Sequence, residues 1–332
     1  MNMRQYLTPK SVSVMILLVF LFFWLVAFFW SFEPEIYDVS DAAASQSRQH
    51  KEQMVVGYTV TTSLIQVSET LLNKSGGYLS NDVLPPSVFM DNMPSWEFGV
   101  LEMVRDLSLA MRKDFSRSQS QSLENGYLVA SQPKFNIDHR SWLLPSAESQ
   151  YQDAIDKLYQ YRASLVDKSP GSGQFFARAD NLRDWLKQIE KRLGNISQRL
   201  SASVGQERLN TDLAGDAGAR QSTPSSSYFA EKTSWWKLDN NFYEARGASW
   251  ALLHFLKAVE VDFADVLEKK NARVSVQQII RELEATQESV WSPMILNGSG
   301  FGLLANHSLV MANYISRANA ALIELSELLN QG

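Results

Sequence analysis

The sequence predicts an all-α protein tethered by one membrane-spanning helix, and three observations carry that prediction. Residues 11–32 form a run of 22 without a charged side chain. Beyond it, apolar residues recur at spacings of three and four in nearly every long segment, the mark of amphipathic helices rather than of strands with period two. Finally, 332 residues, 45% of them of hydrophobic type, are enough to bury a sizeable core without a single Cys. The absence of Cys excludes a disulfide framework, thiolate metal and iron–sulfur sites and Cys nucleophiles, while leaving the redox compartment open. The four His, at 50, 139, 254 and 307, are too scattered for a sequence-local metal site. A net charge of −5 argues against a nucleic-acid binder held by phosphate electrostatics. No metal, cofactor or nucleic-acid partner is expected.

The anchor comes first in the chain. At 1.5 Å per residue it covers about 33 Å, close to the hydrocarbon thickness of about 30 Å, so the lipid bilayer is the expected partner of residues 11–32. A cleaved signal peptide has an apolar region of about 7–15 residues followed at once by a small-residue site. Here the A-x-A match, Ala42 to Ala44, lies behind Glu33, Glu35, Asp38 and Asp41, so an uncleaved anchor is expected. Arg4 and Lys10 precede the span and acids follow it, which places the tail, residues 1–10, on the cytoplasmic side and residues 33–332 outside. Removing those two from 31 basic residues leaves 29 against 36 acidic ones, so the external part carries −7. The span holds no Gly, Pro or ionisable residue, which argues against transport or proton relay, and Trp30 suits an interfacial anchor.

Residues 33–204 read as a first helical region. Val56, Val60, Leu64, Val67 and Leu71 stripe one helix, stopped by Gly76 and Gly77. After a Pro-punctuated stretch, 78–94, Pro94 can occupy the first turn of a helix striped by Leu101, Val104, Ser108, Met111 and Phe115. Residues 123–145 are the least helical part and read as an irregular covering loop, with a strand around Phe135 and Ile137 as the alternative. Ser146 is the expected N-cap of a helix striped by Tyr151, Ile155, Leu158, Tyr161 and Leu165. The best-patterned segment follows: Leu182, Trp185, Leu186, Ile189, Leu193, Ile196 and Leu200 share one face.

Residues 205–227, with three Gly, one Pro and few large apolar side chains, read as a flexible linker. Residues 228–332 then form a second helical region packing on the first, for a bundle of about seven helices beyond the anchor. Its long helix, 236–269, carries Phe242, Leu252, Leu256, Val259 and Phe263 and is expected to loosen at Gly247. A shorter helix starts at Ser275 in a capping box with Gln278 and buries Val276, Ile279, Ile280 and Leu283. The last carries Met311, Ile315, Ala318, Leu322, Leu325 and Leu329 and must bury against the long helix, the first region or a second copy, intramolecular packing being favoured.

The strings GGYLSNDVLPP at 76–86, DNMPSWEFGVL at 91–101, FSRSQSQS at 115–122, ARADNLRDWL at 177–186 and SQRLSASVG at 197–205 resemble a family of uncharacterised single-span envelope proteins of gammaproteobacteria, classed as a domain of unknown function. The likeness covers nearly the whole chain. It implies a bacterial inner-membrane location with a periplasmic domain, and it brings no activity, ligand or catalytic residue.

Candidate sites therefore rest on local chemistry. The segment Trp235, Trp236, Asp239, Asn240, Asn241, Glu244, Arg246 mixes aromatic faces, amides and charges in the manner of a sugar-binding cleft, and Asp91, Asn92, Trp96 and Glu97 form a second such cluster. Glu97 and Glu244 are the pair glycoside chemistry would need, whereas the competing reading has the Trp residues filling the core. The run Asn297 to Gly302 lacks the strand and the Lys of a phosphate loop and reads as a helix–helix turn. His307 falls on an apolar stripe and reads as a core residue, while His254 lies off its helix's stripe. The sequence thus points to a non-catalytic envelope component that contacts an unidentified envelope protein, with a cell-wall glycan-binding module or glycan-acting hydrolase as the alternative.

Overall fold

A computed structural model describes residues 9–119, 121–167, 169, 172–209, 228–292, 294–299 and 302–331. Eleven α-helices lie among the described residues: α1 (Pro9–Trp30), α2 (Val39–His50), α3 (Tyr58–Asn73), α4 (Asn92–Ala110), α5 (Gly126–Phe135), α6 (Ala147–Val166), α7 (Ala179–Ser201), α8 (Leu238–Asp262), α9 (Ala264–Lys269), α10 (Arg273–Ala285) and α11 (His307–Asn330). The architecture is all-helical apart from two four-residue strands, β1 (Gln206–Leu209) and β2 (Tyr228–Glu231), which pair antiparallel with Gln206 opposite Glu231. The expected linker, 205–227, therefore contains β1 and is followed directly by β2, and its remainder, 210–227, lies outside the described residues, as do residues 1–8 of the tail. α1 is long and apolar enough to cross a membrane and buries none of its residues in the protein.

Apolar spacing and cap chemistry account for most of the helices. All seven stripe residues of α7 are buried, each worth about 1.5–3 kcal/mol of removed apolar surface. The Ser146 hydroxyl accepts the Ser149 N–H at the start of α6, as the sequence indicates, and Asn306 does the same for Leu309 at the start of α11. α11 lies antiparallel on α7, with Arg183 bonded to Asn330 and Ser197 to Ser316, and its other side meets α10. Its stripe is thus buried within the chain, mainly against the first region instead of the long helix.

Several expectations are corrected. Residues 126–135 are helical where a covering loop was expected, because Asn125 caps the segment by accepting the Tyr127 and Leu128 N–H groups and Leu128, Ser131 and Phe135 turn inward. α2 replaces what the sequence reads only as a non-cleaved small-residue run; Asp38 caps it and Ala43 is buried. α3 begins at Tyr58, leaving Val56 exposed before it. α10 starts at Arg273 without a side-chain cap, and Gln278 bonds to Glu282 in place of a capping box. The long helix stops at Asp262 and resumes as α9.

Gly247 does not loosen α8. It faces Gly99 on α4, where a Cβ on Gly247 would collide with the Trp96 carbonyl and one on Gly99 with the Glu244 carbonyl, and would stand 2.8 Å from Ala248 N. Two glycines bring these backbones together, making α4 and α8 the most closely packed pair. The helices run in the same direction, since Asp91 and Asn240, at their N-terminal ends, line one cleft. α8 is the hub, buried on every side from Ala245 to Leu256, and His254, off the Leu252–Leu256 stripe, is buried with the rest.

Candidate functional site

Three features could carry function: a clasp between the chain after α1 and α8, a polar cleft beside it, and the residues singled out from the sequence, which the fold distributes over both. The segment that leaves α1 does not swing free. Trp30 packs on Gly76, at a position where a Cβ would stand 2.7 Å from the indole. The Glu33 carboxylate takes the Arg246 guanidinium, with Nε at 2.9 Å, while the same guanidinium donates to the Thr286 and Glu288 carbonyls at 3.0 and 2.8 Å. Trp250 Nε1 donates to the Glu35 carbonyl at 3.4 Å, and the Tyr37 ring stacks on His254 with centroids 4.0 Å apart.

His254 completes the clasp through one tautomer. Its Nδ1 lies 2.7 Å from the Trp250 carbonyl and must donate there, which leaves Nε2 to accept the Tyr37 N–H at 3.3 Å. Burial pushes this imidazole down to about 4, the Trp250 carbonyl opposing and the Lys257 charge assisting, so it is neutral at pH 7. Residues 33–37 thus run alongside α8 from Arg246 to His254.

The cleft, about 530 Å³, opens between residues 79–95, the start of α8 and the loop at His139. Asp91, Asn240 and Glu244 of the sequence candidates line it, with Phe98, His139 and Arg140 on the other wall. Glu244 is held by Arg199, whose NH1 donates at 2.7 Å. Asp239 stands near Asp91, and burial first, the Asp91 charge second, raise its carboxyl above the usual range.

The remaining candidates lie elsewhere. Trp96 is fully buried, its ring 5.3 Å from that of Trp250. Glu97 is fully buried too: Lys74 Nζ stands 2.6 Å from it, and the Leu79 and Ser80 N–H groups donate to it at 2.9 and 2.8 Å. Burial raises its carboxyl and Lys74 pulls it back. Glu97 pins the turn after α3, whereas Glu244 lines the cleft, so the two carboxylates do not share its walls. Trp235 and Trp236 are exposed and meet edge to face; Asn92 and Asn241 are half-buried on the first turns of α4 and α8. Arg246 belongs to the clasp. His307 is half-buried, lines a second, smaller cleft and leaves Nε2 without a partner, unlike the bonded core residue expected. Asn297 pairs with Asn306 in an isolated bridge just before α11, and residues 300 and 301 of the glycine run lie outside the described residues. Sequence reasoning missed Glu33, Tyr37 and His254 as a unit, because their partners lie more than 200 residues away.

Residues 2–332 match the model of a family described as uncharacterized protein conserved in bacteria (DUF2333), and the chain belongs to that family. No curated protein and no solved structure matches it.

Proposed function

We propose that the protein is a single-span inner-membrane protein whose helical domain stands in the periplasm as a non-catalytic interaction component of the cell envelope, held at a set height and orientation over the bilayer. The clasp carries this reading. A domain meant to roam would be joined to its anchor by a solvated linker, whereas here Trp30 packs on Gly76 after α3 and residues 33–37 are bound to the hub helix by stacking, an ion pair and backbone hydrogen bonds. Cleavage after Ala44 would cut α2 and discard the whole clasp. Glu97, Glu244 and Trp96 are engaged in ion pairs and core packing, which favours an interaction role over glycan hydrolysis.

The test is a pair of topology measurements. A reporter active only in the periplasm, fused after Gly332, is expected to be active, and the mature protein is expected to retain its N-terminal peptide and sediment with inner membranes. A mature chain beginning near Ser45 would overturn the reading. The cleft supports a second reading, a binding module for a hydroxyl-rich ligand such as a cell-wall glycan. Saturable binding of soluble peptidoglycan fragments to the full chain, abolished by Asn240→Ala, would favour it.

A further inference from the structure

The seven tryptophans beyond α1 divide into two sets. Trp96, Trp185 and Trp250 are buried in the core, and Trp142, Trp235, Trp236 and Trp291 are exposed, the last to 98%. All four exposed ones lie at one end of the bundle. Glu33 sits beside Arg246 and Tyr37 beside His254, so the part of α8 that precedes Arg246, with Trp235 and Trp236 ahead of it, points back toward α1. α10 ends at the same level, its following carbonyls bonded to Arg246, and the loop it leads into carries Trp291, which lines one cleft together with Ser31 and Phe32 of the anchor exit. α3 ends there as well, against Trp30. The loop holding Trp142 is tied to the chain just after α3: Tyr78 Oη donates to the His139 carbonyl at 3.1 Å and Asn81 Nδ2 to that of Ser141 at 2.9 Å. Leu144 and Leu303, on these same loops, are exposed too.

Exposed tryptophans gathered on one end, with Leu144 and Leu303 beside them, are costly in water and favourable where a polar headgroup layer meets hydrocarbon. We propose that this end is a lipid-binding face, resting in the interfacial layer of the same bilayer that α1 crosses; the proposal depends on the single-span reading above. Two observations select lipid as the occupant. The face is continuous with the exit of the anchor, and the clasp leaves the domain no slack with which to stand away from the membrane. The external part carries 29 basic against 36 acidic residues, so the contact is made by aromatic and aliphatic insertion instead of by attraction to anionic headgroups.

The lack of native Cys makes the test direct. Full-length single-Cys variants Leu144→Cys and Leu303→Cys on the face, Met54→Cys and Val274→Cys at the opposite end, and Leu18→Cys in α1 carry an environment-sensitive nitrobenzoxadiazole label. They are reconstituted in phosphatidylcholine nanodiscs with or without lipids spin-labelled at the headgroup level or at mid-chain. The headgroup quencher is expected to lower emission at 144 and 303 by about two-fold or more, unchanged by added salt, and to leave 54 and 274 unaffected. The mid-chain quencher is expected to reach 18. Labels at 144 and 303 that behave like those at 54 and 274, with 18 quenched, would overturn the lipid face while the anchor stands. Blue-shifted but unquenched labels there would assign the face to a protein and overturn it equally. An unquenched label at 18 would overturn the anchor itself.

Discussion

The two ends of the bundle are closed by different chemistry. At the end away from α1, polar side chains reach inward and lock helix to helix. Arg162 lies between the Tyr58 and Tyr159 rings, 4.9 and 5.0 Å from their centroids, and holds the Glu52 carboxylate at 3.1 Å, joining the turn after α2 to α3 and α6. Asp262, at the end of α8, accepts the Val60 N–H at 2.7 Å. At the anchor end the polar ties, Glu97 with Lys74 and Arg246 with Glu33, lie behind the surface, and the surface itself is tryptophan and leucine. The contrast teaches that, beyond α1 and among the described residues, exposed tryptophan is confined to the end where the chain leaves α1, while the other end, though Leu123 and Tyr127 are exposed there, is tied by the Arg162 and Asp262 contacts.

If both ends depend on a common core, an unpaired charge in it should undo both. Leu322 on α11 is fully buried, so Leu322→Asp is expected to cost about 4 kcal/mol or more and to unfold the domain, seen as lost helical circular dichroism in detergent. Retained helicity with a change only in oligomer size would show α11 to be an assembly element instead. Next in size is the far-end lock. Arg162→Ala leaves the half-buried Glu52 carboxylate with the Tyr58 hydroxyl but no cation and opens a cavity between two tyrosines, for an expected loss of about 3 kcal/mol in denaturant unfolding.

Titration separates the far-end tie at Asp262 from the clasp at His254. Burial holds the Asp262 carboxyl up at about 6, against opposing hydrogen bonds from the chain at Val60, so the native protein binds that proton more tightly than the unfolded chain. Its contribution is complete below about pH 3.8 and is lost as pH rises through about 6. His254 has the opposite sign: lowered to about 4, its contribution is complete above about pH 6.5 and is lost as pH falls through about 4. Between these limits the two oppose each other. Melting temperatures of Asp262→Asn are therefore expected to rise with pH from about 4 to 6.5, and those of His254→Gln to fall over the same interval. Parallel profiles for the two variants would show that these groups do not titrate as their burial requires.

The smallest effect is expected at the exposed tryptophans of the proposed lipid face. Trp236→Ala and Trp291→Ala remove exposed rings and should change unfolding free energy in detergent by no more than about 0.5 kcal/mol. A loss comparable to that of Arg162→Ala would mean these side chains serve the fold.

Legibility in the sequence follows the same physics. Helices that bury one face, α7 above all, announce themselves by spacing, and the Ser146 cap is readable because its partner is three residues away. α8 was readable as a helix and unreadable as the hub, since burial on all sides leaves no polar face to mark which residues pack where. Gly247 shows the cost: within one helix a glycine signals looseness, and only the presence of Gly99 opposite turns it into a close contact. Asp91, Asn240 and Glu244 line one cleft, whereas Glu97 and Trp96, of the same side-chain types, lie inside, because side-chain type does not encode direction. The clasp is hidden in the sequence because the bonds from Glu33, Glu35 and Tyr37 reach residues more than 200 positions later.

The central claim is that anchor and domain form one body through residues 30–37. Spin labels at Phe29→Cys on α1 and Val261→Cys near the end of α8, both exposed in a chain without other Cys, allow their separation to be measured by pulsed electron resonance in nanodiscs. A single narrow distance distribution, broadened when Arg246→Ala removes the partner of Glu33, is the predicted result. A distribution already broad in the otherwise native chain, and unchanged by Arg246→Ala, would contradict the claim and leave a domain swinging on a flexible tether.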